Sequence, residues 1–162
     1  MDPLSAQRFD LQRRAYFPAR RNHVPAHCTL FHQLPGDREP AVKETLGRLC
    51  ATRIPFTVFT SGLLNFGRGV AYGLEAPALV ALRHELAVAF APWLSEQDRQ
   101  RYRPHVTIQN KADPAQARAL LASLEDDFEP TAVRIEGLSL WRYRGGPWDA
   151  AATFRFGRET PA

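Results

Sequence analysis

The order of apolar and polar positions along the chain predicts alternating helices and strands. Apolar residues recur every three or four positions over residues 40–52 and, most strongly, over residues 77–91, as in amphipathic helices. Residues 54–60 instead alternate every second position, which is typical of a strand. Because helices and strands interleave without a long linker, the pattern predicts a mixed α+β fold.

Capping and turn residues add further elements. Ser5 is the predicted N-cap of a helix over residues 5–15 that ends before Pro18. The pair Asp113-Pro114 predicts the start of a helix that continues to about residue 127. The remaining predicted strands are residues 24–32, 70–75, 105–110, 131–144 and 151–156.

These elements form two similar halves, about residues 1–75 and 76–162. Each half runs helix, proline-preceded strand, helix, long strand with a central glycine (Gly62 or Gly137) and closing strand. The predicted fold is therefore a single domain of the α+β class, bilobal and duplicated. Two antiparallel-dominated sheets would form a central cleft, with the helices outside.

Composition excludes several classes of protein. A chain of 162 residues that is 44% hydrophobic is long enough to bury a core and is not intrinsically disordered. It contains no apolar run of about 18 residues and begins with a polar segment, so we expect a cytoplasmic protein with no membrane partner. Its two cysteines exclude a disulfide framework and a thiolate zinc site. The net charge of +4 suits a phosphate-bearing partner, although an arginine-rich proteome would give the same balance.

Each half contains one His-x-Thr-hydrophobic motif. The first has His27 and Thr29, the second has His105 and Thr107, and both have apolar or soft residues at the second and fourth positions. Because side chains alternate on a strand, the histidine and threonine of each motif point to one face and the other two residues point to the core. If the halves are related by pseudo-twofold symmetry, two imidazoles and two hydroxyls line one cleft.

This set of side chains suits phosphodiester chemistry. Histidine titrates near neutral pH, so His27 and His105 are candidates for the acid and the base. The hydroxyls of Thr29 and Thr107 are candidate donors to the non-bridging phosphate oxygens. A single His-x-Thr triplet would usually be a hydrogen-bonded strand residue, but two at matching places in a repeat favour a site. No metal or other cofactor is needed for this chemistry, and none is expected.

Aromatic and arginine side chains near the predicted cleft are candidates for substrate binding. Single-stranded nucleic acid is commonly held by stacking on aromatic rings and by arginine contacts. The candidates are Phe66, Arg103, Tyr143 and Arg144. For Phe66, packing within a sheet is the alternative interpretation.

With these motifs the sequence resembles the two-histidine phosphoesterase superfamily, and within it the 2′-5′ RNA ligase-like proteins. The resemblance rests on the two His-x-Thr motifs, is supported by Pro25-Ala26 before the first and residues 101–104 before the second, and covers essentially the whole chain. It departs from the usual pattern at Cys28, where a β-branched residue or leucine is usual. Cysteine packs as a small hydrophobe and leaves the assignment intact.

The resemblance implies a bilobal fold with a central cleft and metal-independent action on 2′,3′-cyclic phosphates or 2′-5′-linked oligonucleotides. It implies that His27 and His105 act as acid and base and that Thr29 and Thr107 bind phosphate. We therefore predict a monomeric phosphoesterase whose partner is an RNA or nucleotide 2′-phosphoester. One alternative is a nucleotide- or RNA-binding module without turnover, and another is a scaffold in which the motifs are coincidental. The role of each histidine and the direction of reaction stay open.

Overall fold

The computed structural model describes residues 1–157 and contains antiparallel sheets covered by helices. The helices are Pro3–Tyr16 (α1), Glu39–Ala51 (α2), Pro77–Ala89 (α3), Glu96–Arg99 (α4) and Pro114–Glu125 (α5). The strands are Phe56–Asn65 (β1), Val70–Glu75 (β2), His105–Gln109 (β3), Ala132–Ile135 (β4), Gly137–Tyr143 (β5) and Trp148–Arg155 (β6). Short 3₁₀ turns lie at Ala19–Arg21, Gly36–Arg38 and Ala91–Trp93.

One sheet has the strand order β3-β2-β1-β4, and the other is the β5-β6 hairpin; all pairs are antiparallel. α1 lies against β3, α5 against β1 and β2, and α2 against β5 and β6. The predicted fold class, α+β with antiparallel sheets and outer helices, is confirmed. Both predicted halves contribute strands to the four-stranded sheet, and the division into repeated halves stays a prediction.

A continuous apolar core joins the helices to the sheet. Leu82, Leu86 and Phe90 lie at four-residue spacing and are at most 1% exposed, as the helical periodicity predicted. On β3, Val106 and Ile108 are fully buried. Burying each such side chain contributes about 1.5–3 kcal/mol. Since alternate residues of a strand point to opposite faces, the core fixes His105 and Thr107 on the other face of β3. Within residues 1–157 no helix has both the length and the apolar character needed to cross a membrane.

The first helix begins earlier than predicted. Asp2, not Ser5, is the N-cap: its carboxylate accepts the Ser5 N–H at 2.9 Å, and Ser5 is a buried residue inside α1. The helix therefore starts at Pro3, where the missing N–H of proline costs no hydrogen bond. The Ser5 cap prediction is wrong because Asp2 competes successfully for the same role.

The predicted strand over residues 24–32 is also wrong. Only one bridge forms there, between Cys28 and Val106 of β3. Neighbouring backbone groups find other partners: the Ala26 N–H donates to the Asp10 carboxylate at 2.6 Å. A segment whose backbone groups bond to side chains can have the same alternation of residue types as a strand in a ladder, so the sequence pattern does not distinguish them.

The predicted strand over residues 131–144 is two strands in different sheets, because the chain leaves the four-stranded sheet at Glu136. Gly137 permits this change, since a Cβ there would collide with the Phe154 carbonyl oxygen. Gly62, its predicted counterpart, has φ +128° at an irregularity of β1 and therefore serves a different purpose. The last strand starts at Trp148 rather than residue 151, because the turn is closed by the Arg144 N–H donating to the Pro147 carbonyl at 3.1 Å.

Gly137→Ala is expected to lower the free energy of unfolding by about 1–3 kcal/mol, because the methyl group must displace the β6 backbone. Urea unfolding checks this, with Gly146→Ala as the matched control, since a Cβ at Gly146 meets no atom within 4 Å. Equal stability of the two variants would contradict the assigned role of Gly137.

Candidate active site

A single antiparallel bridge joins the two His-x-Thr motifs, and it lies at their central residues, Cys28 and Val106. Val106 is fully buried. The Cys28 Sγ lies 3.3 Å from the Tyr102 hydroxyl, within hydrogen-bond distance. The central residues of both motifs therefore point into the protein.

The residues that flank the bridge point to the opposite, open face. In an antiparallel pair the flanking residues meet in reverse order, so His27 lies opposite Thr107 and Thr29 lies opposite His105. Directly opposed side chains are about 5 Å apart at Cβ and diagonal ones about 7–8 Å. The two histidines occupy one diagonal of this four-residue cluster and the two threonines the other.

Both imidazoles are held in the same way. The Nδ1 of His27 lies 2.6 Å from the Pro25 carbonyl oxygen, and the Nδ1 of His105 lies 2.7 Å from the Arg103 carbonyl oxygen. A carbonyl oxygen only accepts, so each Nδ1 carries the hydrogen. In the neutral form each Nε2 therefore keeps its lone pair available for proton transfer on the open face.

Long-range ¹H–¹⁵N spectra of the histidine rings are expected to show both neutral residues as the Nδ1–H tautomer at about pH 8, because the two carbonyl bonds select it. Assignment uses the single variants His27→Ala and His105→Ala. An Nε2–H tautomer at either position would contradict the geometry described here.

The pKa of His27 is lower than ordinary. The largest cause is desolvation by the surrounding protein atoms, although the residue is exposed at the surface. The bond to the Pro25 carbonyl acts in the opposite direction and favours the charged ring. The positive charges of Arg13 and His105 lower the pKa further, while Asp10 raises it. His27 and His105 are thus close enough to affect each other's charge.

The two threonine hydroxyls are available donors. Thr29 and Thr107 are half-buried, and among residues 1–157 neither hydroxyl has a protein hydrogen-bond partner. Each is free to donate to a ligand oxygen. The part of the chain that the structure describes contains no group of three or more His, Cys, Asp or Glu side chains that could hold a metal ion.

Two small residues of β2 lie next to the cluster. On β2, Ala71 pairs with Thr107 and Gly73 pairs with His105. Residues paired in a sheet share a face, so no large side chain of β2 occupies the space next to the cluster at these two positions. The Phe66 ring, 46% exposed, contacts His105 edge-on with 5.1 Å between ring centroids. The structure therefore brings Phe66 to the candidate site, and its role in substrate binding stays a prediction.

The other predicted substrate-binding residues lie in two places. Arg103 is an exposed residue two positions before β3, and its carbonyl orients His105. Tyr143 packs on Trp148 at 4.9 Å between centroids. Arg144 Nε donates to Asp149 at 2.8 Å. The partners of Tyr143 and Arg144 belong to the β5-β6 hairpin, and a substrate-binding role for these two residues stays a prediction.

Sequence reasoning missed Arg13, a charged residue only 4% exposed on α1. Its guanidinium donates to the carbonyl oxygens of Thr107 at 2.7 Å and Val24 at 3.1 Å. The available signal was its spacing: Arg13 follows Phe9 by four residues and so lies on the buried stripe of the helix.

A second missed residue is Asp98, which is 2% exposed. Its carboxylate accepts from the His32 N–H at 2.8 Å and the Gln33 N–H at 3.2 Å, and His32 Nδ1 lies 3.0 Å away. Burial alone would raise its pKa, but these bonds and one from Ser95 lower it below the ordinary value. Asp98 therefore connects the segment after the first motif to the segment before β3. His32 has a structural role in this connection and lies outside the cluster.

The candidate site does not coincide with either of two pockets that lie beside α1. Two pockets of about 420 Å³ each lie along α1, one beside Asp2 and Arg134 and the other beside Gln12 and Tyr72. None of the four motif side chains lines either pocket. The chemistry of paired histidines and threonines, not cavity size, identifies the candidate site.

Comparison with known proteins identifies the family and the fold. The family model of the 2′-5′ RNA ligase superfamily matches residues 2–147. Among curated proteins no match is found.

Similar solved structures include TT0787 of Thermus thermophilus, with TM-score 0.66 and 19% identity over 99% of this chain and 96% of that one. E. coli LigT complexed with 3′-AMP has TM-score 0.60 and 18% identity over 95% and 92%. A structure described as a phosphoesterase has TM-score 0.58 and 17% identity over 96% and 94%. At these identities the likeness shows a shared fold. The family match over most of its length, however, places this chain in the 2′-5′ RNA ligase superfamily.

Proposed function

We propose that this protein is a metal-independent phosphoesterase that acts on RNA-derived 2′,3′-cyclic phosphates or 2′-5′ phosphodiesters. The observation that carries the proposal is the register at the Cys28–Val106 bridge, which sets two histidines and two threonines on one open face. Membership of the superfamily and the likeness to a phosphoesterase support the class of reaction.

The two histidines divide the proton transfers. In hydrolysis, the Nε2 of one imidazole takes a proton from water as the water oxygen bonds to phosphorus. The bond from phosphorus to a ribose oxygen breaks, and the other imidazole gives that oxygen a proton. In the reverse direction a ribose hydroxyl takes the place of water, and His27 and His105 exchange roles.

The threonines stabilise the phosphoryl group. Thr29 and Thr107 each donate a hydrogen bond to a non-bridging oxygen, where negative charge builds up in the transition state. Their hydroxyls need no rearrangement within the protein, because neither is engaged by another described residue. Preorganised donors of this kind supply stabilisation without a metal ion.

A nucleotide substrate is supported by three observations. Phe66 offers an exposed aromatic face beside His105, on which a base could stack. The LigT structure, similar in fold, is complexed with 3′-AMP. The net charge of +4 suits a polyanion. Action as a monomer in the cytoplasm is part of the same proposal.

A substrate panel tests the proposed function. The wild-type protein is incubated in EDTA with 2′,3′-cyclic nucleotides and with 2′-5′ dinucleotides, and His105→Ala serves as the control. We expect product from at least one substrate with the wild type and almost none with the variant. Tight binding of a 2′-phosphonucleotide without any product would favour a binding module, and activity lost in EDTA would contradict the metal-independent reaction.

A further inference from the structure

We infer that Arg13 is the positioning residue of this site: its buried guanidinium holds the first motif against β3 and places a fixed positive charge behind the four-residue cluster. The expected effect of Arg13 on turnover rests on the proposed function. Its effect on His27 is independent of which substrate the protein uses.

Every donor nitrogen of the Arg13 guanidinium is engaged. Nη1 donates to the Thr107 carbonyl at 2.7 Å. Nη2 donates to the Val24 carbonyl at 3.1 Å and to the Asn22 Oδ1 at 2.8 Å, and Nε donates to the same Oδ1 at 3.1 Å. The guanidinium also lies over the Phe17 ring, 4.5 Å from its centroid. Because the guanidinium is planar and rigid, bonds to this many partners hold it in one orientation.

The side-chain bonds from α1 fix a register that a ladder of backbone hydrogen bonds between two strands would ordinarily fix. In an ordinary antiparallel pair, several backbone bonds fix the register of two strands. Here a single bridge at Cys28 joins the first motif to β3. Arg13 binds the backbone on both sides, at Val24 and at Thr107, and Asp10 of the same helix accepts the Ala26 N–H. α1 therefore fixes His27 opposite Thr107.

The charge of Arg13 also acts on the site. The charged groups that act on His27 are Arg13 and Asp10 from α1 and His105 from β3. Arg13 lowers the pKa of His27 and Asp10 raises it, so the balance depends on the guanidinium staying in place. The same charge favours an anion bound at the threonines.

Two substitutions separate the positioning role of Arg13 from the effect of its charge. Arg13→Met removes both the charge and the fork, whereas Arg13→Lys keeps the charge but loses the multiple fixed bonds. Arg14→Met is the matched control, since Arg14 is the exposed neighbour in the same helix turn and its loss changes the net charge equally.

Two readouts are measured on each variant: the NMR titration midpoint of His27, and kcat and KM on the best substrate of the panel. In Arg13→Met we expect the His27 midpoint to rise and kcat to fall about 10- to 100-fold with a smaller change in KM. In Arg13→Lys we expect a midpoint near that of the wild type but a similar fall in kcat. Arg14→Met should match the wild type in both.

The inference is overturned if a folded Arg13→Met has the midpoint and the kcat of the wild type, or if Arg14→Met produces the same changes. Amide NMR spectra show whether each variant is folded. If Arg13→Met does not fold, full activity of Arg13→Lys is by itself enough to overturn the inference. If the wild-type protein turns over no substrate, the proposed function fails, while the His27 midpoints still decide whether Arg13 sets the charge of the site.

Discussion

Replacing His27 or His105 with alanine is expected to lower kcat by about 10²–10⁴-fold while the protein stays folded. Proton transfer by a positioned side chain contributes a factor of this size. Neither side chain belongs to the buried core, so the loss concerns chemistry rather than stability. The measurement is turnover of a 2′,3′-cyclic phosphate, with circular dichroism to establish folding.

The control for these variants is His84→Ala, since His84 is an exposed histidine of α3 outside the two motifs. It should retain wild-type turnover. Full activity in either His27→Ala or His105→Ala would contradict the acid-base assignment.

The same mechanism predicts a bell-shaped dependence of the wild-type rate on pH, because one imidazole must be neutral while the other is protonated. The pKa of His27 is below the ordinary value of 6.5, so the limb that reports His27 should lie at more acidic pH than that value. As pH falls through this limb, His27 gains its proton.

The second large effect is expected at the threonines. Thr29→Val and Thr107→Val keep the volume and branching of the side chain but remove the hydroxyl donor. Losing one preorganised donor to a developing negative charge costs about 10²–10³-fold in kcat, equivalent to about 2.7–4 kcal/mol of transition-state stabilisation. Steady-state kinetics on the same substrate measure this loss.

Thr57→Val is the matched control, because Thr57 is exposed on β1 and lies outside the motifs. It should leave kcat unchanged. If Thr29→Val and Thr107→Val also leave kcat unchanged, the threonines are not the phosphate donors.

The part of the site on β3 was predictable from local sequence. His105 and Thr107 alternate with the fully buried Val106 and Ile108, so a two-residue period determines which side chains of β3 face the candidate site. The first motif has the same alternation, yet it forms only a bridge at Cys28. Its neighbours bind side chains instead of a second strand, and a one-dimensional pattern contains no information about such partners.

The partners of the residues that support the site were not predictable for the same reason. Arg13 reaches the carbonyl of a residue 94 positions later. Asp98 binds the backbone of His32, which precedes it by 66 positions. Phe66 was identified as an aromatic residue near the predicted cleft, but only the folded chain shows that its ring contacts His105.

The most direct test of the two-histidine mechanism compares kcat of the wild type, His27→Ala, His105→Ala and the double variant on one 2′,3′-cyclic phosphate in EDTA. If the two histidines act in one reaction, each single variant loses nearly all activity and the double variant loses little more, because residues that act as a unit are not additive. Additive losses, or substantial activity in either single variant, would contradict the account.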